Sequence, residues 1–390
     1  MSTLPSSRVG SLDVLRGLVI VLMALDHIRD FFGAAPFAPE DMAQTTAPWF
    51  FTRWVTHFCA PVFVFLAGSA AYLYGQKAGL PALRRFLWTR GLWLLIVEFL
   101  VINLSWMFDW WWNEGFMFGQ VIWVIGMSML LLSALISVPL RWIAAFGLTL
   151  VLGHNLLDGI RPEALGSFAA LWNVLHIGWG WVPFSPSFGF LVVYPLIPWV
   201  GVMALGYVFG TVMVWEPARR QQWLLRAGLA ITLFFIALRA TNLYGDGAHW
   251  APQERGAVHT LLSFLNTSKY PPSLLFLCMT IGPGMLLLAL FERVSNPVTQ
   301  FLAVFGRVPF FFYIIHFSLI HAASRLYFWF TKGWWTDFFS TRPDQWPAGY
   351  EPNLGLVYLV WAVFIPAMYL LCRWYGRYKF SHTHWWLKYV

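Results

Sequence analysis

Apolar runs close to or longer than the roughly 18 residues needed to cross a bilayer recur along this chain, separated by short polar stretches. They fall at about residues 13–33, 54–75, 88–108, 119–138, 142–158, 190–213, 223–242, 272–291, 301–322 and 354–375. This spacing predicts one domain over 1–390, an all-α, polytopic integral membrane bundle of about ten helices. The tract at 166–186 breaks the pattern. Its Trp172, Trp179 and Trp181 are interrupted by Gly180, Pro183 and Pro186, so it reads as an interfacial or re-entrant segment and not as an eleventh span. No small-residue cleavage pattern follows the first run, which is therefore expected to remain as an anchor.

Composition agrees: the chain is 59% hydrophobic and 11% charged, with mean hydropathy +0.63. Charge then orients the bundle. With ten spans, Arg84, Arg85, Arg90, Arg219, Arg220, Arg377 and Lys379 all fall on the side of the two termini. Positive residues are retained in the cytoplasm, so both termini are expected there, in a multi-pass protein of the inner (plasma) membrane. The net charge of +8 then follows from topology and is no argument for nucleic acid. Three cysteines, Cys59, Cys278 and Cys372, lie in separate spans and suggest neither a disulfide framework nor a zinc site, and no metal site is expected. Walker A, GxSxG, HExxH and dinucleotide GxGxxG motifs are absent, which argues against an ATP-driven pump and against common soluble-enzyme chemistry.

Ionisable groups at membrane depth are costly and mark sites. The first span carries Asp26-His27-Ile28-Arg29-Asp30, and on a helical wheel Arg16 lies about 20° and Asp13 about 40° from His27, so all three share one face. Arg16 and His27 lie about 16 Å apart along the axis, so one polar stripe runs from the cytoplasmic to the opposite end of the helix. Asp13 and Arg16, at i and i+3, read as an ion pair. Asp26 beside His27 reads as a carboxylate that tunes a general base, with Arg29 and Asp30 lining the same place. His57, at the matching depth of the second span, and His316, inside the ninth, are further catalytic or site-lining candidates. Pro61 should bend or unwind the second helix. Glu98 and Arg239 are two more intramembrane charges that could pair with one another.

Four segments carry a family resemblance: SLDVLRG with LMALDHIRD, THFCAPVFVFLAGS, YPLIPWVGVMALGYVFG and FGRVPFFFYIIHFSLIH. In this order they resemble bacterial membrane proteins similar to the catalytic domain of heparan-alpha-glucosaminide N-acetyltransferase, within the transmembrane acyltransferase superfamily. The resemblance implies transfer of an acetyl or other acyl group from cytoplasmic acyl-CoA, a donor substrate and not a bound cofactor, to a sugar amine or hydroxyl across the membrane. In the lysosomal enzyme the proposed catalytic histidine precedes the second helix. The matching place here is near Thr46, so the resemblance leaves that role to His57 or His27. An asparagine of that enzyme aligns with His27, and its late-helix histidine with His316.

Acyl transfer needs a base, an electropositive place for the oxyanion and exclusion of water from the thioester. Arg29 is a candidate for the second, and Arg307, Arg84 and Arg85 are candidates to hold the CoA phosphates. Direct transfer and transfer through an acyl-histidine both remain open. The loop at 243–270, with Asp246, His249, Glu254, Arg255 and His259, is either an acceptor-recognition element or a solvated connection. The many tryptophans form an interfacial belt by the commoner explanation. Gly206 and Gly210 permit close helix packing, within the chain or in a homo-oligomer. The competing class is a membrane transporter or flippase with a buried Asp/His/Arg relay, which would show inverted repeats that this sequence lacks.

Overall fold

The computed structural model describes residues 10–390. Helices account for most of it, and each of the ten apolar runs falls on one helix or on two in succession. In chain order they are α1 (Gly10–Phe32), α2 (Ala47–Trp54) running into α3 (Cys59–Ala78), α4 (Leu80–Val97) running into α5 (Asn103–Met107), the short α6 (Trp111–Glu114), and α7 (Val121–Leu135). Then follow α8 (Leu140–Gly153), α9 (Ala169–Leu175), α10 (Leu196–Met213), α11 (Pro217–Thr241), α12 (Ala257–Leu265) and α13 (Leu274–Phe291). The last three are α14 (Pro297–Arg307), α15 (Pro309–Lys332) and α16 (Leu354–Ser381).

Among the described residues, seven helical stretches are long and apolar enough to cross a membrane, or eight if α14 and α15 count as one bent span. The expected count of ten is therefore approximate. Helix α7 is short, and α1 carries Asp13, Arg16, Asp26, Arg29 and Asp30 along its length. This is a multi-pass membrane protein.

Three local departures from the expected pattern bear on the site. The apolar run at 301–322 is two helices meeting at 85°, because Val308 leaves the helical region (φ −131°, ψ 49°) ahead of Pro309. Arg307 thus ends α14 and does not share a helix with His316. Helix α4 begins at Leu80, ahead of the apolar run at 88–108, so that Arg84 and Arg85 lie on it. The tract at 166–186 is neither a span nor a simple re-entrant loop: a 3₁₀ turn (Pro162–Phe168) and α9 lead into β2 (Gly180–Ser185). Strand β3 (Phe188–Val192) pairs antiparallel with β2 and parallel with β1 (Phe116–Gly119). Between α2 and α3 the chain tightens into a 3₁₀ turn, Val55–Phe58, as Pro61 leads one to expect.

Backbone-to-backbone contacts hold the site-bearing helices. A Cβ on Gly17 would meet the Leu302 carbonyl oxygen at 1.8 Å, and one on Gly306 the Asp13 carbonyl oxygen at 1.8 Å, so α1 and α14 cross where only glycine fits. Likewise Gly206 of α10 sits on the Phe65 carbonyl and Gly68 of α3 on that of Met203. The small-residue face of α10 is thereby used inside the chain.

Candidate active site

The last turns of α1, the loop at 33–46 and α2 build an alternating chain of charges. Asp26 lies 2.5 Å from the Arg53 guanidinium and 3.1 Å from that of Arg29, and Arg29 in turn lies 2.5 Å from Asp30. Arg53 Nε donates to Glu40 at 2.7 Å, and His57 Nε2 lies 3.5 Å from the same oxygen. Three carboxylates against two guanidiniums leave one negative charge. The Lys269 ammonium offsets it, acting on Asp26, His27 and His57 from the segment between α12 and α13. Burial pushes the Glu40 carboxyl up, but the Arg53 guanidinium and then the His57 ring outweigh it and hold Glu40 well below the ordinary carboxylate range. Next to Lys269, burial raises the Tyr270 phenol, yet Lys269 and Arg53 together bring it below its ordinary value. The site as a whole is thus charge-balanced, with Arg53 and Lys269 the cations that act on Tyr270.

Asp26, expected beside His27 as its acid–base partner, faces these guanidiniums instead. His27 has another partner. Its Nδ1 lies 2.8 Å from Nε2 of His316, whose own Nδ1 is 2.7 Å from the Tyr313 carbonyl oxygen. A carbonyl only accepts, so His316 carries its proton on Nδ1 and offers the Nε2 lone pair; His27 then donates from Nδ1 and keeps a lone pair on Nε2. The network therefore selects the His27 tautomer, and among the described residues that Nε2 has no hydrogen-bond partner. His316 is fully buried, while His27 is half-buried against the rings of Phe317 (4.0 Å) and Trp106 (5.5 Å). His57 is also buried, with both ring nitrogens free of hydrogen bonds.

A cavity of about 180 Å³ opens beside the charge chain, with Arg29 and Asp30 at its floor and Trp49, Phe338, Phe339 and Trp346 in its walls. Phe339 packs on Trp106 at 4.2 Å and Trp106 lies 5.5 Å from His27, so these two rings in series link the cavity wall to His27.

The other predicted residues lie apart. Asp13 and Arg16 pair at 3.4 Å at the far end of α1, with Arg16 also near the Leu66 carbonyl. Arg84 and Arg85 are exposed on α4, where Arg84 donates to Ser137, and Arg307 is exposed at the end of α14. Glu98 and Arg239 do not pair: Glu98 accepts the backbone N–H groups of Gln120 and Trp123 at the start of α7, and Arg239 donates to the carbonyls of Ala248, Ser263, Phe264 and Asn266. In the 243–270 loop, Asp246 is buried and accepts from Ser268 and Ser273, bracing the segment that bears Lys269. Arg255 donates to the carbonyls of Met42, Ala43 and Thr45, tying down the loop that bears Glu40. Glu40, Arg53, Lys269 and Tyr270 were not singled out from sequence; Arg53, a charge at the head of an apolar run, is the one that carried a signal.

Residues 8–243 match the family described as heparan-alpha-glucosaminide N-acetyltransferase, catalytic. The chain belongs to that catalytic family. The match takes in His27, Glu40, Arg53 and His57, whereas Lys269 and His316 come from the part of the chain beyond it. This family member is, in general terms, a membrane acetyltransferase-like protein, and the expected resemblance holds. No curated protein shows significant similarity to it.

Proposed function

We propose that this protein transfers an acyl group, acetyl in the simplest case, from cytoplasmic acyl-CoA to a sugar amine or hydroxyl on the other side of the inner membrane, with both termini cytoplasmic. The observation that carries this reading is the His316–His27 pair, which leaves a lone pair on His27 Nε2 within the field of the Lys269 and Arg53 cations. In this reaction Nε2 takes the acceptor's proton as the acceptor nitrogen or oxygen attacks the thioester carbonyl. The oxyanion forms near Lys269 and Tyr270, the C–S bond breaks, and the thiolate of CoA recovers the proton from His27. His316 orients the base and stabilises the imidazolium. The ring-walled cavity, with a charged floor, suits a sugar, whose apolar face stacks on aromatic rings while its hydroxyls meet Arg29 and Asp30. The exposed Arg84, Arg85 and Arg307 are the proposed contacts for the CoA phosphates.

The test is acyl-CoA turnover by purified protein in nanodiscs with amino sugars as acceptors. Thioester consumption coupled to acylated sugar supports the reading, and its loss in folded His27→Ala supports the base. If folded wild-type protein neither binds nor consumes acyl-CoA with any acceptor, the reading is wrong.

A further inference from the structure

One buried ionic pair lies outside the charge chain. His321, on α15 and 0% exposed, points Nδ1 at the Ser105 carbonyl oxygen (3.1 Å) and Nε2 at Asp337 Oδ2 (3.1 Å). Both neighbours only accept. A neutral imidazole has one N–H, so it would turn a lone pair toward one of these oxygens; an imidazolium satisfies both. Asp337 Oδ2 is buried and makes no hydrogen bond, and the approach of Nε2 is off the hydrogen-bond line, so the two meet as charges. Two rings sandwich the imidazole: Phe108 at 3.8 Å, nearly parallel, and Phe31 at 4.7 Å. Faces of that kind favour a cation. Phe108 holds φ at +48°, a left-handed backbone conformation unusual for an aromatic residue, and its ring covers His321.

Asp337 stands directly before Phe338 and Phe339, two walls of the cavity. Its other carboxylate oxygen takes the N–H groups of Phe339 and Ser340, so the carboxylate sets the turn that aims those rings. Among the described residues it forms the only ion pair between the 333–353 loop and the helices. The Tyr350 hydroxyl also ties the loop, donating to the Ala34 carbonyl. The charged group facing His321 is Asp337. Glu114, at the end of α6, acts on Asp337, and neither Phe31 nor Phe108 brings a charge.

We propose that His321 and Asp337 are positioning residues for the ring-walled cavity, their ion pair holding Phe338 and Phe339 in place. The acceptor role of that cavity rests on the function proposed above; the latch does not. When either partner is replaced the other is left without its contact, the loop loosens and the cavity loses a wall.

Hydrogen–deuterium exchange of the full-length protein in nanodiscs, without substrate, reads the latch directly. Uptake over 337–346 should be higher in Asp337→Asn and in His321→Gln than in wild type. With turnover established, Asp337→Asn should raise the acceptor KM about tenfold with kcat and the acyl-CoA KM nearly unchanged, a loss confined to binding in the cavity. Uptake over 337–346 in Asp337→Asn or in His321→Gln that matches wild type overturns the latch. A loosened loop with an unchanged acceptor KM overturns the positioning role. Absence of turnover with every acceptor counts against the proposed function, while the exchange measurement still decides the latch.

Discussion

Arg53→Gln removes the cation shared by two carboxylates. Asp26, 7% exposed, keeps its contact with Arg29 at 3.1 Å but loses the one at 2.5 Å, and Glu40 keeps only His57 at 3.5 Å. Removing one partner of a buried ion pair costs about 3–5 kcal/mol, because the remaining charge is left without compensation. Asp26 retains Arg29 and Lys269, and Glu40 is half-buried, so we expect a loss near the lower end, about 3 kcal/mol. Unfolding in mixed micelles of mild detergent and SDS, followed by tryptophan fluorescence, measures it. A double-mutant cycle with Asp26→Asn should return a favourable coupling of about 1–3 kcal/mol.

The sign with pH is also determined. Glu40 is held below its ordinary value of 4.5 in the folded protein. Its contribution is therefore fully present above that value and is lost as pH falls through the lowered folded value. In Arg53→Gln the main cause of the lowering is gone, so the stability gap between variant and wild type should narrow as the solution is acidified through the carboxylate range. A loss under about 1 kcal/mol at neutral pH, or a coupling of zero, refutes the claim that Arg53 holds this network together.

Three further outcomes are expected. His27→Ala abolishes acyl transfer, and His316→Ala lowers kcat by about 10²–10⁴, the range of general-base catalysis, with little change in either KM in steady-state assays. Gly17→Ala forces α1 away from α14, since the new Cβ would sit 1.8 Å from the Leu302 carbonyl oxygen; thermal melting should reveal a loss of about 1–3 kcal/mol, typical of overpacking. Asp246→Asn turns carboxylate acceptors of four hydrogen bonds into a mixed amide and costs about 1–3 kcal/mol; it should also lower kcat by loosening the Lys269 segment, which turnover at matched amounts of folded protein checks.

Much of this was legible in the chain itself. Apolar runs mark the helices because crossing lipid demands satisfied backbone hydrogen bonds over a set length, a requirement each segment meets alone. The charges of α1 stood out for the same reason. Gly17 of SLDVLRG and Gly306 of FGRVP were visible as motif residues, although their purpose, letting α1 and α14 cross at backbone distance, was not. The bend at Val308 had its signal in Pro309, masked by the apolar run continuing on both sides. Asp26 next to His27 was misleading, since adjacent residues on a helix do not face one another.

The amino-acid sequence by itself determined a polytopic helical membrane protein, its family, and which spans carry ionisable groups. Only the tertiary structure decided which of those groups meet. His27 and His316 lie 289 positions apart, Asp26 and Arg53 lie 27 apart, and Lys269 reaches the same centre from another loop. Hydrophobic periodicity is a local property, readable along the chain. The tautomer of a histidine or the partner of a buried carboxylate depends on which distant segments pack within hydrogen-bonding distance, and that is set by helix crossings and loop ties that no single segment encodes.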